Sequence, residues 1–161
     1  MKARDIMTTE VIAVSPQTTV GEIAALLTEH GVAGMPVIDE DHRVLGVVTE
    51  ADLVVRSARP HFPHYIQLLD GFVFLESPKR FDEEVRKMIA MTAEEIMTRE
   101  VITCSPDASV EDVATLMVDR DVNRIIVTEG DRLVGIVTRA DIVKTLRVEE
   151  TPPRADQEAA P

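Results

Sequence analysis

The sequence predicts an α/β (α+β) fold: two β-α-β-β-α repeats packed with pseudo-twofold symmetry. Three observations predict it. The chain repeats itself, the apolar residues of each copy change period at matching places, and each change is marked by turn or cap residues. Shifting the chain by 90 residues lays Ile6–Val37 over Ile96–Val127 with 13 identities in 32 positions. After one deleted residue, Arg43–Leu53 lies over Arg132–Ile142 with 6 identities in 11. A period of this size marks a supersecondary unit used more than once.

Each copy opens on Ile-Met-Thr, at Ile6 and Ile96, and runs into a short apolar strand, Val11–Val14 or Val101–Cys104. A Ser-Pro turn follows at Ser15 and Ser105. A helix then starts at Thr19 or Ser109, with an acid three residues on (Glu22, Asp112) completing a capping box. Val20, Ile23, Ala24 and Leu27, like Val110, Val113, Ala114 and Met117, recur at i, i+3, i+4, i+7 and form one buried stripe. Two strands come next, near Met35–Ile38 and Val44–Val48 in the first copy and Ile125–Thr128 and Leu133–Val137 in the second. A second helix begins after Thr49 or Thr138, and His30 is placed to cap the end of the first helix. The first two strands are expected to be parallel through a right-handed crossover and the last two an antiparallel hairpin. One copy has too few strands to stand alone, so two are expected to pack together.

The resulting division is repeat 1 over 1–58, a linker over 59–92 with a helix near 78–91, repeat 2 over 93–148 and a disordered tail over 149–161. The tail has nothing to bury. The linker holds every aromatic residue, Phe62, Tyr65, Phe72, Phe74 and Phe81. Ser77-Pro78 reads as a helix cap and first position, and Phe81, Val85, Met88 and Ile89 as an apolar stripe. Such an insert packs on its own module as a satellite cluster, or covers a cleft or builds a dimer contact.

Charge narrows the partners. The net charge is −12 and the pI near 4.7. With no run of Lys and Arg to displace counterions, nucleic acid and anionic membrane are poor partners. A small phosphate-bearing ligand needs only one or two basic residues or a helix N-terminus. No apolar run approaches membrane-spanning length and the start lacks the apolar stretch of a signal peptide, so a cytoplasmic location is expected. The lone cysteine, Cys104, takes the strand position of Val14 and reads as a small buried side chain. His61-Phe-Pro-His64 reads as a solvated loop rather than a metal site. No catalytic constellation is visible, and a small enzyme is the least favoured reading.

The most informative match is Gly46-Val-Val-Thr49-Glu-Ala-Asp52 against Gly135-Ile-Val-Thr138-Arg-Ala-Asp141. It falls where a strand hands over to a helix. Thr-x-x-Asp there is a capping box, with Thr as the N-cap. The same geometry suits a ligand: a helix N-terminus carries partial positive charge, and a carboxylate beside it accepts two hydrogen bonds from a vicinal diol such as that of ribose. Both roles fit one Thr-Asp pair.

The Ile-Met-Thr starts, Gly31-Val-Ala-Gly-Met-Pro-Val-Ile-Asp39 before the hairpin, and the doubled Gly-h-h-Thr-x-x-Asp motif together resemble the CBS domain, named for cystathionine β-synthase. The tandem pair resembles a Bateman module. The resemblance covers Ala3 to about Ser57 and Ala93 to about Leu146. It implies a pair of clefts between the repeats that take adenosine-containing ligands: AMP, ADP, ATP or S-adenosylmethionine. It places Asp52 and Asp141 on the ribose hydroxyls and Thr49 and Thr138 near ribose or phosphate. Val11, Ile12 and Pro36 would wall one adenine, and Val101, Ile102 and Ile126 the other, although each serves equally well as a core residue. It implies no obligatory cofactor and leaves room for magnesium beside the phosphates. It also implies a homodimer acting on an effector protein. The copies differ at Gly34 and Glu50 against Arg124 and Arg139. Arg124 stands where the family often places a base for phosphate, which favours repeat 2. Ile126, where the family often has the proline seen at Pro36, counts against it. The sequence thus predicts an adenosine-ligand sensor with two unequal sites. The alternative is a ligand-free dimerisation or docking scaffold whose Thr-x-x-Asp motifs are caps alone.

Overall fold

The computed structural model describes residues 1–57, 65–68, 71–74 and 78–149. Its elements are α1 (Ala3–Ile6), α2 (Val20–His30), β1 (Gly34–Ile38), β2 (Val44–Thr49), α3 (Glu50–Ser57), β3 (Tyr65–Leu68), β4 (Gly71–Phe74), α4 (Pro78–Ala90), α5 (Ala93–Ile96), β5 (Thr103–Cys104), α6 (Val110–Asp119), β6 (Arg124–Glu129), β7 (Arg132–Thr138) and α7 (Arg139–Glu149). The expected His61–His64 loop, the Ser77 cap and the tail beyond Glu149 lie outside the described residues.

The chain divides into a continuous unit, Ile12–Val101, and a split unit, Met1–Val11 with Ile102–Pro161. The cuts fall just inside each sequence copy. Each unit therefore combines the body of one copy with the Ile-Met-Thr lead-in of the other. Sheet edges explain why. One edge of β2 pairs with β1 and one edge of β7 pairs with β6, both antiparallel. The other edge would present unpaired N–H and C=O groups. Thr8 closes it on β7, donating to Ile136 O at 2.9 Å and accepting from Ile136 N at 3.0 Å. Thr98 closes it on β2 through Val47, at 2.9 and 3.0 Å.

The motif glycines permit this approach. A Cβ on Gly135 would sit 2.6 Å from Met7 Sδ and 3.1 Å from Thr8 O, and one on Gly46 would sit 2.6 Å from Met97 Sδ and 2.9 Å from Thr98 O. The lead-ins are anchored in parallel fashion further back. Ala3 N donates to Ala108 O and Arg4 N to Pro106 O, while Ala93 N donates to Thr18 O and Glu94 N to Pro16 O. The split unit adds charge, with Lys2 and Arg4 each 2.7 Å from Asp107. The Lys2 hydrogen bond, aided by the Arg4 charge, holds the exposed Asp107 carboxyl below its ordinary value.

The opening strand of each body pairs in parallel with the strand after the helix, as the crossover requires. In the split unit this is β5 on β6, Thr103 opposite Ile126 and Cys104 opposite Val127. In the continuous unit only the single bridge Val14–Val37 forms. The difference is one residue. Ile126 N donates to Ile102 O, but the matching position is Pro36, which has no N–H to give.

Behind each sheet sits a separate core. Val14, Val20, Ile23, Leu27, Met35, Val37 and Val48 form one with Ala93 and Ile96. Val113, Met117, Ile125, Val127 and Val137 form the other with Ala3. Full burial of each large aliphatic side chain is worth about 1.5–3 kcal/mol, so these stripes dominate the stability of their units. The expected box at the start of α2 is complete: Thr19 N and Oγ1 donate to Glu22 Oε2, and Glu22 N donates back to Thr19 Oγ1. At α6 half of it forms, Asp112 N donating to Ser109 Oγ at 3.0 Å. Helix α2 ends on Gly31 in the left-handed region (φ 61°), after His30. In the second copy Asp121 takes that position with φ 49°.

Helix α4 packs within its own unit. Met88 and Ile89 meet Val20, Gly21, Ala24, Leu53 and Ile96 around an apolar groove of about 120 Å³. This helix of the insert is a satellite of the continuous unit. β3 and β4 form an antiparallel hairpin, Tyr65 opposite Phe74.

Candidate functional site

The motif aspartate caps the strand-to-helix junction in both copies, and in the split unit the box is complete, Asp141 N donating back to Thr138 Oγ1 at 3.4 Å. In the continuous unit Thr49 N and Oγ1 donate to Asp52 Oδ2 at 2.8 and 3.0 Å. In the split unit Thr138 N and Oγ1 donate to Asp141 Oδ2 at 2.9 and 2.7 Å. One carboxylate oxygen is thereby spent on the cap in each copy. The other, Oδ1, is the atom able to accept from a diol. Asp141 Oδ1 receives the Lys144 ammonium at 3.0 Å, from a lysine 73% exposed. Partial burial pushes the Asp141 carboxyl up, but the Thr138 hydroxyl and N–H and the Lys144 ammonium outweigh it and hold the group below its ordinary value. Asp141 is therefore an anion at neutral pH, a pure acceptor.

Strand register shows what shares a face with the threonines. Directly opposite residues of an antiparallel pair project to the same side, and so do residues two apart. Arg124 lies opposite Thr138, Ile126 opposite Ile136, and Ile136 opposite Thr8. These five make one face of the split unit's sheet. The opposite face carries Ile125, Val127 and Val137, all 0% exposed and part of the core. The continuous unit repeats the arrangement: Gly34 opposite Thr49, Pro36 opposite Val47, and Val47 opposite Thr98. The Gly34–Arg124 mismatch therefore stands directly across from the motif threonine in both copies.

Of the apolar candidates, Pro36 and Ile126 lie on the motif face, and both are buried. Ile12 and Ile102 pack against the cores, in the structural role the sequence equally allowed. Val11 belongs to the split unit and Val101 to the continuous one, each on the far side of the division from its motif. Arg124 Nε donates to Asn123 Oδ1 at 3.1 Å. Arg139 turns to the end of α6, 3.7 Å from Asp121 and donating to Val122 O at 3.3 Å. Sequence reasoning missed Thr8, Thr98 and Lys144. The identity of Ile-Met-Thr in both copies was the available signal for the threonines; nothing in the repeat announces Lys144, since Val55 is its counterpart.

Cys104 is half-buried against the core, and burial pushes its thiol up, away from the reactive thiolate. Among the described residues no three His, Cys, Asp or Glu side chains gather as a metal set, and no helix is long and apolar enough to cross a membrane.

A doubled β-α-β-β-α body, each with a polar motif on the sheet face away from its core cluster, defines a tandem-repeat module. The CBS domain family model matches residues 3–59 and 93–148, and the chain belongs to that family as a tandem pair. It is 26% identical over 154 residues to the uncharacterised protein MJ1426 of Methanocaldococcus jannaschii, covering 91% of each chain. It is 31% identical over 143 residues to MJ1404 of the same organism, spanning 89% of this chain but only 31% of that one. Among solved structures it is similar to the CBS domain pair of protein MJ0100 in complex with 5′-methylthioadenosine and S-adenosyl-L-methionine. The TM-score is 0.70 at 25% identity, over 93% of this chain and 98% of that one.

Proposed function

We propose that the chain is a sensor of adenosine-containing ligands, binding them at the two Thr-x-x-Asp motifs and passing a change of shape to a partner protein. The observation that carries this reading is the arrangement at the motif. In each copy the motif aspartate keeps Oδ1 outside its cap, beside a threonine on the sheet face opposite the one that carries Met35, Val37 and Val48 or Ile125, Val127 and Val137. The adenosine ligands of the similar MJ0100 pair support it. Asp52 and Asp141 hold the ribose diol, Pro36 and Ile126 offer apolar contact to the base, and Arg124, across from Thr138, meets a phosphate. Magnesium would enter only alongside such phosphates. Repeat 2 is the stronger site for a charged ligand, with Lys144 adding a second cation at Asp141.

Thermal melting with AMP, ADP, ATP, S-adenosylmethionine and NADH tests the reading. A ligand at a hundredfold over its dissociation constant adds about 2.7 kcal/mol. Asp141→Ala is expected to reduce the shift more than Asp52→Ala; equal losses would reject the ranking of the sites. No shift with any of these ligands would reject the sensor and favour a scaffold, for which capping by Asp52 and Asp141 is sufficient.

The reading includes a homodimer. Val54 on α3 and Val143 on α7, equivalent positions of the two copies, are 64% and 58% exposed, and Leu146 is 58% exposed. Apolar side chains repeated on matching helices suit a self-complementary contact. Sedimentation is expected to give a dimer that Val54→Glu with Val143→Glu converts to monomer; a monomeric unaltered chain would refute this part.

A further inference from the structure

We propose that the two motif sites are energetically coupled through the exchanged lead-ins, which tie the two motif strands into one closed circuit. The proposal rests on the sensor reading for its ligand but on bonds alone for the circuit. From the motif strand β7, Ile136 exchanges two hydrogen bonds with Thr8. The chain from Thr8 runs into the continuous unit, where Val14 N donates to Pro36 O at 3.0 Å. Pro36 stands opposite Val47 on the other motif strand, β2. Val47 exchanges two hydrogen bonds with Thr98. The chain from Thr98 runs into the split unit, where Ile102 O accepts from Ile126 N at 3.3 Å. Ile126 stands opposite Ile136, where the circuit began.

Every link is a backbone hydrogen bond, a directly opposed strand pair or a short covalent span. Thr138 and Thr49 each lie two residues beyond a node of this circuit, Ile136 or Val47. Neither node can shift along its strand without breaking its bonds or drawing its lead-in with it. Met7 on Gly135 and Met97 on Gly46 leave no slack at the joint: the space a Cβ would need is already filled by sulfur. A ligand that pulls on Thr138 and Asp141 therefore moves Thr8, and through it the strand opposite Val47. Linkage makes the effect reciprocal, so occupancy of either site changes the affinity of the other by the same factor.

The test uses the full chain with AMP as the probe. Asp52→Ala and Asp141→Ala each leave one site and give its affinity alone. Calorimetric titration of the unaltered chain is expected to depart from the sum of these two by about fivefold or more in one affinity. Inserting four glycines between Thr9 and Glu10 and four more between Arg99 and Glu100 keeps every ladder bond but slackens both spans, and is expected to restore independent sites. Two independent sites in the unaltered chain, or coupling that survives the insertions, would overturn the proposal while leaving the sensor intact. A ligand-free arm separates the two failures if AMP does not bind. Thr138→Ala, which loosens the start of α7, is expected to speed amide hydrogen exchange at Val47 and Thr49 in the unaltered background and not in the glycine-inserted one. Unchanged exchange at Val47 in both backgrounds would refute the circuit without reference to any ligand.

Discussion

At Gly46 and Gly135 the motif serves packing before it serves binding. Both glycines were legible as part of a shared Gly-h-h-Thr-x-x-Asp string, but their reason was not, because the atoms they make room for are the lead-in methionines far away in sequence. Gly135→Ala and Gly46→Ala are each expected to destabilise their unit by about 1–3 kcal/mol, the usual effect of overpacking, in chemical denaturation. Gly46→Ala should be the worse, since Thr98 O is backbone at 2.9 Å and cannot turn aside; a neutral effect at either would remove the docking argument. The Thr-x-x-Asp pair was readable as a cap or a ribose site, and in both copies the aspartate takes the threonine N–H and hydroxyl, with the return bond from Asp141 N completing the box in the second. The two roles are compatible because a carboxylate has two oxygens and the cap uses only Oδ2. Lys144 reaches Oδ1 of Asp141 from three residues on in the same helix, and the matching residue of the first copy, Val55, has no ammonium to offer, which sharpens the inequality first seen at Gly34 and Arg124.

The elements followed the sequence closely wherever a local signal fixed them. The α2 and α6 starts at Thr19 and Ser109 and the β2–α3 and β7–α7 junctions at Thr49 and Thr138 all fall at side-chain caps. The first strand was harder. Val11–Val14 and Val101–Cys104 read alike, yet one forms only a bridge and the other a two-residue strand, because proline at Pro36 withdraws a donor that Ile126 supplies. Helix ends differ for a similar reason. Gly31 accepts a positive φ freely, whereas Asp121 carries a Cβ into the same region. Asp121→Gly is expected to stabilise the protein by about 1 kcal/mol in denaturant titration, since the Arg139–Asp121 pair it gives up is exposed and 3.7 Å long. A destabilised variant would mean that pair matters more than the backbone does.

For the whole molecule, the exchange of lead-ins means that a sequence repeat is not a folding unit. A chain ending at residue 58 contains the body of copy 1 but lacks Ala93, Ile96 and Thr98, which belong to its core and its sheet edge. It is expected to be largely unfolded by circular dichroism, whereas the same segment supplied with residues 91–101 through a flexible linker recovers strand signal. An independently folded 1–58 fragment would contradict the division into continuous and split units. The sequence by itself determined the repeat, its strand and helix order, the caps, the two motifs and their unequal neighbours, because each is written in periodicity or in residues within a few positions of one another. It could not determine which lead-in serves which body. Ile6-Met7-Thr8 and Ile96-Met97-Thr98 are the same three residues, and the glycines that receive them stand in the same motif, so local chemistry fits either pairing equally. Only the tertiary structure decides, by bringing Thr8 to Ile136 and Thr98 to Val47, and that choice closes the bare edge of each motif strand.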